Sequence, residues 1–376
     1  MKRLSASLGA MTLIALTAGC AAQGEYTSEA RAEAQNNSDR LHAGTEYDQA
    51  NRKYQSGDFD SALKSIEKSI SFESSVAKSH LLRARILIEM GDYSGALYSL
   101  DTGSDLDLDN HEYPYLMGVV YEQLKQFDLA CEVYEAALKI KPHDSASRLA
   151  LAEVFIQLNR NEDAKSILKA SPGWTDGEAG FRQTLGHIAR LEGNDDEALR
   201  EFQKAAILSP NDSGILEDLF RSQAEAGDFS EAIRTVRELV DRPYYEQRPD
   251  LQRLHARCLL QTRQPVEART ILKALTRESG TATGFETWHL MADVAMLLKD
   301  DRLLGQAGEH MARTDPSRSE GFVAQAVSHR RVGNLEAALR NARLAMERAG
   351  DDTTSSRLEK LILDEIGAKS AEPSDN

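Results

Sequence analysis

The sequence contains little proline and little cysteine for its length, with nine prolines and three cysteines in 376 residues. Such a scarcity of proline favours helices, because proline inside a helix removes a hydrogen bond and clashes with the preceding turn. No CxxC pair is present, so neither a disulfide framework nor a cysteine zinc site is expected. Cys131 and Cys258 are too far apart in sequence for an expected disulfide, and we predict small core residues at both positions.

Positive charge is also in deficit. Lys and Arg total 45 against 60 Asp and Glu, which gives a formal net charge of −15. Proteins bind nucleic acid and anionic lipid headgroups through clustered Lys and Arg. The composition therefore argues against a nucleic-acid partner.

The common catalytic motifs are missing as well. The chain has no GxGxxG, Walker loop, HExxH or GxSxG, and its SxxK matches at Ser61 and Ser166 are not followed by KTG. The run DLDLDN at 105–110 is similar to a calcium loop, but Asn110 replaces the required Gly and Leu116 the closing Glu. We therefore predict no catalytic residue, no metal site, no cofactor and no enzymatic activity.

The N-terminus, MKRLSASLGAMTLIALTAGC, has two basic residues, an apolar stretch to Leu16 and small residues before Cys20. The apolar stretch is too short to span a bilayer stably, but it suits a cleaved export signal. An ordinary signal peptide cleaved nearby, or a buried N-terminus, is the alternative interpretation.

The residues ending in TAGC resemble a bacterial lipobox, although Thr17 stands where Leu is usual. The resemblance implies that residues 1–19 form a lipoprotein signal peptide and that Cys20 becomes the lipidated N-terminus. Because Ala21 and not Asp follows, it further implies a lipid anchor in the outer membrane, on the periplasmic side, in a host with two membranes.

An internal repeat organises the rest of the chain. GDFDSALKSI at 57–66 returns as GDYSGALYSL at 91–100, a spacing of thirty-four residues. Two insertions of two residues, in DRPYYEQRPD and TRESGTATGF, interrupt the period, and we interpret both as spacers. Residues 43–352 divide into nine units: 43–76, 77–110, 111–144, 145–178, 179–212, 213–248, 249–284, 285–318 and 319–352.

Eight of the nine units have Ala or Gly at the eighth place, and eight have Ala at the twentieth, such as Ala84 and Ala96. Two helices approach closely only where the side chains at their crossing are small, so the pattern predicts a helical hairpin. Gly57 and four further glycines occupy the fifteenth place, where a left-handed residue ends the first helix at little cost. Where Lys125, Asn159, Arg263 and Lys299 occupy this place, we expect a turn of another kind or mild strain.

These residues resemble the tetratricopeptide repeat (TPR) family, and the match is strongest in the third unit, with Gly118, Tyr121, Ala130, Tyr134 and Pro142 in the expected places. The resemblance implies an all-α fold, a right-handed superhelical solenoid of about nine helical hairpins. Residues 353–369 carry apolar residues at helical spacing and are predicted to form a capping helix. We expect residues 20–42 to form the lipidated N-terminus and a tether, and residues 370–376 to be a disordered tail.

The resemblance further implies that the first helices line a concave face and that the second, fifth, ninth and twelfth places of each unit point into it. Protein or peptide partners are expected to bind this face, although packing between repeats is an equal alternative for Leu81 and Ile88. The candidate binding residues are Tyr47, Asn51, Tyr54, Arg85, Tyr115, Val119, His187, Arg221, Arg253 and Arg257.

The sequence thus favours a membrane-anchored TPR scaffold that binds proteins in the assembly or regulation of a bacterial envelope machine, such as a pilus, a secretion system or a cell-wall apparatus. Tethering would raise the effective concentration of its partners. Two alternatives stay open. One is an enzyme or ligand-binding protein with a site in the concave face, and the other is a structural subunit that associates with itself.

Overall fold

The computed structural model describes residues 8–170, 177–277, 284–349 and 353–371, and this part of the chain contains helices and no strand. The twenty helices are α1 (Leu8–Gln55), α2 (Phe59–Phe72), α3 (Ala77–Glu89), α4 (Tyr93–Leu106), α5 (Glu112–Gln123), α6 (Phe127–Ile140), α7 (Ser145–Gln157), α8 (Asn161–Lys169), α9 (Ala179–Leu191), α10 (Asp195–Leu208), α11 (Ser213–Glu225), α12 (Phe229–Val240), α13 (Pro243–Glu246), α14 (Pro249–Gln261), α15 (Pro265–Leu275), α16 (Phe285–Leu298), α17 (Asp301–Thr314), α18 (Glu320–Arg331), α19 (Leu335–Ala349) and α20 (Thr353–Ala371).

The helices form antiparallel hairpins in two compact units, Met1–Ser171 (unit 1) and Pro172–Asn376 (unit 2). In unit 1 the hairpins are α1 with α2, α3 with α4, α5 with α6, and α7 with α8. In unit 2 they are α9 with α10, α11 with α12, α14 with α15, α16 with α17, and α18 with α19. Within each unit, consecutive hairpins pack on one another and share a core. The predicted all-α solenoid of helical hairpins is confirmed.

The repeated Gly-Asp pair explains the turns of the first two hairpins. Gly57 and Gly91 have φ of 80° and 78°, the left-handed conformation that ends a first helix. The following Asp caps the second helix, since Asp58 Oδ1 accepts a hydrogen bond from the Ser61 amide at 3.2 Å and Asp92 Oδ1 accepts one from the Gly95 amide at 3.0 Å. The pair therefore stops one helix and starts the next.

Turns without glycine adopt the same conformation. Lys125, Asn159, Arg263 and Lys299 have φ between 55° and 60°. The expectation of a different kind of turn is therefore wrong, and its alternative, mild strain, applies. A side chain with a β-carbon costs about 1–2 kcal/mol in this region, which the packing of the hairpin offsets.

The small residues at the eighth and twentieth places lie at the helix crossings. Ala84 and Ala96, one from each helix of the second hairpin, are fully buried, as are their counterparts Ala152 and Ala164 in the fourth. A β-carbon added to Gly186 would lie 2.6 Å from Cε1 of Phe202 in the facing helix. These contacts set how closely the two helices of a hairpin approach.

The inserted segment between the sixth and seventh hairpins forms the short helix α13 and packs into unit 2. Tyr245 is buried, and its hydroxyl lies 2.9 Å from Nδ1 of His255 in α14. Gln252 of α14 donates a hydrogen bond to the Tyr245 carbonyl at 3.0 Å. The segment is thus a docked element of the core, so its interpretation as a spacer is wrong. Most of the second insertion, residues 278–283, lies outside the described residues.

The two ends of the chain are helical where they are described. The residues expected to form the tether are part of α1, and no helix in the described ranges is both long and apolar enough to cross a membrane. At the other end, Leu358 and Ile362 of α20 pack into the core cluster of the last hairpin, while Leu361 is exposed. The first seven residues and the tail beyond Ala371 lie outside the described residues.

Candidate binding faces on the first helices

For unit 1 and for unit 2, we define the first-helix face as the surface formed by the second, fifth, ninth and twelfth residues of every repeat, all of which lie on first helices. These helices are α1 from Ala43 onward, α3, α5 and α7 in unit 1, and α9, α11, α14, α16 and α18 in unit 2. All ten predicted binding residues of this face are partly or fully exposed to solvent. Leu81, by contrast, is buried in the core, and Ile88 packs partly buried against it, so both serve packing between repeats.

Aromatic rings form the start of the first-helix face of unit 1. Tyr47 and Tyr54 pack partly buried over the first core cluster. The Lys78 ammonium lies 4.6 Å from the centre of the Tyr47 ring, within cation–π range, and the Tyr54 ring lies 5.9 Å from that of Phe59. Asn51 is one helical turn from each tyrosine. The three predicted residues of this hairpin thus share one half-exposed surface.

Further along unit 1, charged and aromatic groups alternate. Arg85 Nη2 of α3 lies 2.8 Å from Glu112 Oε2 of α5, and both side chains are about equally exposed. In the third hairpin the Tyr115 ring lies 5.8 Å from that of Tyr134, whose hydroxyl donates a hydrogen bond to Glu122. Burial raises the pKa of Glu122 although this hydrogen bond opposes the shift. Val119 is half-exposed beside these groups.

In unit 2, His187 belongs to a network centred on Asp218. Its Nε2 lies 3.0 Å from Asp218 Oδ2, and Arg190 Nη2 lies 3.2 Å from Asp218 Oδ1. Gln183 donates a further hydrogen bond to Oδ2 at 2.8 Å. Burial alone would raise the pKa of Asp218, but the hydrogen bonds from His187 and Gln183 outweigh it and the pKa is lowered. Asp218 is therefore an ionised acceptor already surrounded by donors.

A second network engages Arg221. Its guanidinium donates to Glu217 at 2.9 Å and to Asp250 at 2.5 Å. Arg248 contacts the same two carboxylates, at 2.6 Å and 2.9 Å, and the Tyr244 hydroxyl also donates to Glu217. Hydrogen bonds from Arg248 hold the pKa of Asp250 far below its usual range. Because its donors are already used within the chain, Arg221 is not available as a simple carboxylate clamp.

Arg253 and Arg257 differ from these arginines. They lie one turn apart on α14, and within the described part of the chain neither has a hydrogen-bond or ion-pair partner. Both line a cavity of about 340 Å³ together with residues of α11 and α16, among them Glu225, Glu286 and Leu290. This places two unpaired guanidinium groups in one recess of the first-helix face of unit 2.

The next recess of the same face is mainly apolar. A second cavity of about 340 Å³ lies between α16 and α18, with α17 beneath it. Met296, Val323 and Val327 line it, and Met296 is 43% exposed. Its polar lining comes from His289, Asp293, Ser319, Glu320 and Thr354. Since α16 packs against both α14 and α18, the two recesses are on neighbouring first helices.

The remaining predictions concern metals and cysteines. The described residues contain no group of three or more His, Cys, Asp or Glu side chains that could hold a metal ion. Cys131 and Cys258 are free and buried, and burial raises the pKa of the Cys258 thiol to about 11. The backbone at Cys20 belongs to α1, but its side chain lies outside the described residues, which begin for side chains at Thr27.

Several residues of these networks were missed by the sequence reasoning. Asp218 is the sixth residue of its repeat, whereas the first-helix face was predicted from the second, fifth, ninth and twelfth residues. Tyr244 and Arg248 belong to an inserted segment whose sequence does not recur in the other repeats. The only signal was composition, because the insertion is rich in tyrosine and arginine, whose side chains can donate hydrogen bonds to a carboxylate such as Glu217.

Comparison with protein families gives matches to two models described as tetratricopeptide repeat. One matches residues 122–185, and the other matches residues 47–103, 81–145 and 217–282. Together these matches span residues 47–185 and 217–282, which is more than half of the chain.

Individual relatives are distant. The chain is 26% identical over 104 residues to the human protein O-mannosyl-transferase TMTC1, and the match spans 28% of this chain and only 12% of that protein. Among solved structures, it is similar to MamA from Desulfovibrio magneticus RS-1, with 20% identity and a TM-score of 0.42 over 46% of this chain and 97% of MamA. TTC0263 from Thermus thermophilus gives 18% identity and a TM-score of 0.39 over 48% of this chain and 98% of TTC0263.

Proposed function

Because this chain belongs to the tetratricopeptide repeat family, whose repeats form scaffolds for protein–protein interaction, we propose that it gathers protein partners at a bacterial cell envelope. A lipid on Cys20 would hold it there, at the periplasmic side of the outer membrane. Its partners would be components of an envelope machine that it helps to assemble or regulate, such as a pilus, a secretion system or a cell-wall apparatus. Proteins of this fold are generally scaffolds and not enzymes, and we assign this chain no reaction.

The observation that carries the protein-binding role is the exposure of the first-helix faces. All ten candidate residues are accessible, although the small residues on the same helices are buried at the crossings. Tyrosine and arginine, which make up seven of the ten, are the residue types enriched at binding hot spots. The chain therefore combines a stable hairpin core with a surface composed for contact with another protein.

The anchoring role is supported by the sequence MKRLSASLGAMTLIALTAGC alone. A lipid anchor would confine the scaffold and its partners to one surface, which raises their effective concentration without any new contact. A single acyl chain binds a membrane weakly, whereas several chains on one cysteine give stable attachment. The proposed lipid on Cys20 would thus serve the same purpose as the repeats, namely bringing partners together.

Site-specific photocrosslinking tests the protein-binding role. A photoreactive amino acid is placed at Val119 on α5 and at His289 on α16, both half-exposed on first helices. The matched control is Ile207, which is 79% exposed on the second helix α10. We expect discrete adducts with other envelope proteins from the first-helix positions and none from Ile207. Adducts with a second copy of this chain only would support self-association, and a lack of adducts at both positions would contradict the proposal.

A separate experiment tests the anchor. Cells are labelled with an alkyne fatty acid, and the wild type is compared with Cys20→Ser and, as a control, Cys131→Ser. We expect the wild type and Cys131→Ser to carry the label and to partition into the detergent phase, and Cys20→Ser to do neither. Label retained by Cys20→Ser would show that Cys20 is not the anchor. Loss of the anchor without loss of adducts would leave the scaffold role in place.

A further inference from the structure

Arg253 and Arg257 of α14 have no partner in the part of the chain that the structure describes, whereas the arginines around them are engaged. Arg221 and Arg248 each contact two carboxylates, and Arg318 contacts Glu286 at 3.1 Å. Three carboxylates line the same recess as the two unpaired arginines. Glu286 and Asp250 are already paired with other arginines, and Glu225 of α11 has no ion-pair contact with a described residue. The recess therefore holds two guanidinium groups whose charge no neighbouring carboxylate neutralises by direct contact.

This arrangement costs stability in the isolated chain. Two like charges four residues apart on a helix repel each other. The chain has an excess of carboxylates, with 60 Asp and Glu for 45 Lys and Arg, yet none lies within ion-pair distance of this pair among the described residues. A guanidinium group binds carboxylates through two parallel hydrogen bonds, so a carboxylate from outside the chain fits the pair.

The apolar recess between α16 and α18 suggests that a ligand of this face also carries an apolar side chain. Met296, Val323 and Val327 offer partly exposed apolar surface to a side chain entering from the first-helix face. The two recesses flank α16, so they are separated by about one spacing between packed helices, roughly 10 Å. An extended peptide advances about 3.3–3.6 Å per residue, so roughly three residues cover that distance.

We propose that unit 2 binds an extended protein segment whose carboxylate lies between Arg253 and Arg257 and whose apolar side chain, about three residues away, enters the recess lined by Met296, Val323 and Val327. The carboxylate can come from an Asp or Glu side chain or from a chain terminus. This proposal rests on the proposed function, for which it names the class of partner recognised by unit 2.

Fluorescence anisotropy with short synthetic peptides tests the proposal on the full chain purified in detergent. The probes are amidated Ser/Gly peptides that contain Glu-Ser-Ser-Leu or Leu-Ser-Ser-Glu. Matched peptides replace Glu by Gln, replace Leu by Ser, or place Glu and Leu side by side. A further pair ends in Leu-Ser-Ser-Gly with a free or an amidated C-terminus, which separates a terminal carboxylate from a side-chain one.

We expect binding of the peptide with one of the two orders of Glu and Leu, or of the peptide with the free C-terminal carboxylate. The peptides with Gln for Glu, with Ser for Leu, or with Glu and Leu side by side should bind at least about tenfold more weakly. Arg253→Gln with Arg257→Gln should weaken binding by at least about tenfold, and Val327→Asp should do the same. The control variant, Arg200→Gln with Arg302→Gln, makes the same change in net charge at exposed second-helix positions and should bind as the wild type does.

Three results would overturn the proposal: equal binding of the Glu and Gln peptides, equal weakening by the control variant, or no binding of any probe at about 1 mM. If one of these three results is found but photocrosslinking at Val119 or His289 still gives adducts, the scaffold role stands and only the proposed class of partner is wrong. Far-UV circular dichroism of each variant verifies that it is folded.

Discussion

Gly186 and Phe202 fit each other across the fifth hairpin so closely that a β-carbon on Gly186 would lie 2.6 Å from Cε1 of the Phe202 ring. The third hairpin repeats this relationship, because a β-carbon on Gly118 would lie 2.5 Å from Cζ of Tyr134. Four hairpins whose second helix carries Ile or Leu instead have Ala on the first helix: Ala50 with Ile66, Ala84 with Leu100, Ala152 with Leu168, and Ala256 with Leu272. In these six hairpins the size of one residue is thus matched to the size of the other.

This relationship predicts that Gly186→Ala destabilises the protein although alanine is the better helix former. The added methyl group must displace a fully buried ring, and overpacking of this kind costs about 1–3 kcal/mol. The gain in helix propensity offsets about 0.5–1 kcal/mol of that. We expect a net loss of about 1–2 kcal/mol, measured as a lower urea midpoint by circular dichroism.

The matched control is Phe202→Leu, alone and combined with Gly186→Ala. Phe202→Leu alone leaves a cavity, but the double variant restores the Ala–Leu pair found in other hairpins. We expect the double variant to be more stable than the sum of the two single effects, by at least about 1 kcal/mol. Additive effects would show that the two places do not share volume.

At the left-handed position of a hairpin turn, replacing a residue by Gly should raise stability, and replacing Gly by another residue should lower it. Lys299, with φ of 55°, is expected to gain about 0.5–1 kcal/mol of stability as Lys299→Gly, since relief of strain exceeds the added entropy of the unfolded chain. Gly333, with φ of 81° and no atom within 4 Å of an added β-carbon, should lose about 1 kcal/mol as Gly333→Ala. Thermal unfolding checks both, and equal signs for the two would contradict the assignment of strain.

The period of thirty-four residues was sufficient to predict the hairpins, because each repeat must pack on the next through the same few places. Four turns were harder to predict, since Lys125 and its counterparts give no sequence signal of a left-handed conformation. The binding face was predicted only in part. Repeat positions indicate which side chains are exposed, but they do not indicate that Arg221 pairs with Asp250 of the neighbouring hairpin or that Arg248 of the insertion contacts the same carboxylates.

The Arg85–Glu112 ion pair is expected to contribute little to stability. Its atoms lie 2.8 Å apart, but both side chains are 40% exposed, and solvent screens such pairs. We predict that Arg85→Ala lowers the free energy of unfolding by less than about 1 kcal/mol. The variant should therefore stay folded in a urea titration and can report on partner binding at unit 1. A loss above about 2 kcal/mol would show that the pair is structural.

The contact between Tyr245 and His255 predicts a dependence of stability on pH. Burial and the nearby charge of Arg237 lower the pKa of His255 from 6.5 to about 4. Between pH 4 and pH 6.5, the His255 ring is therefore protonated in the unfolded chain and neutral in the folded chain. Stability is therefore fully present above pH 6.5 and is lost as the pH falls toward 4, by up to about 3 kcal/mol.

Urea unfolding of the wild type and His255→Gln between pH 7 and pH 4 checks this prediction. The carboxylates titrate in both proteins, so the difference between the two curves isolates His255. We expect the wild type to lose more stability than the variant as the pH falls from 6.5, because protonation places an unpaired charge beside the buried Tyr245 hydroxyl. Tyr245→Phe, which keeps the ring but removes the hydrogen bond, should lower stability near pH 7 by about 1 kcal/mol. Parallel curves for wild type and His255→Gln would show that His255 is protonated equally in the folded and unfolded chains, and that α13 docks without sensing pH.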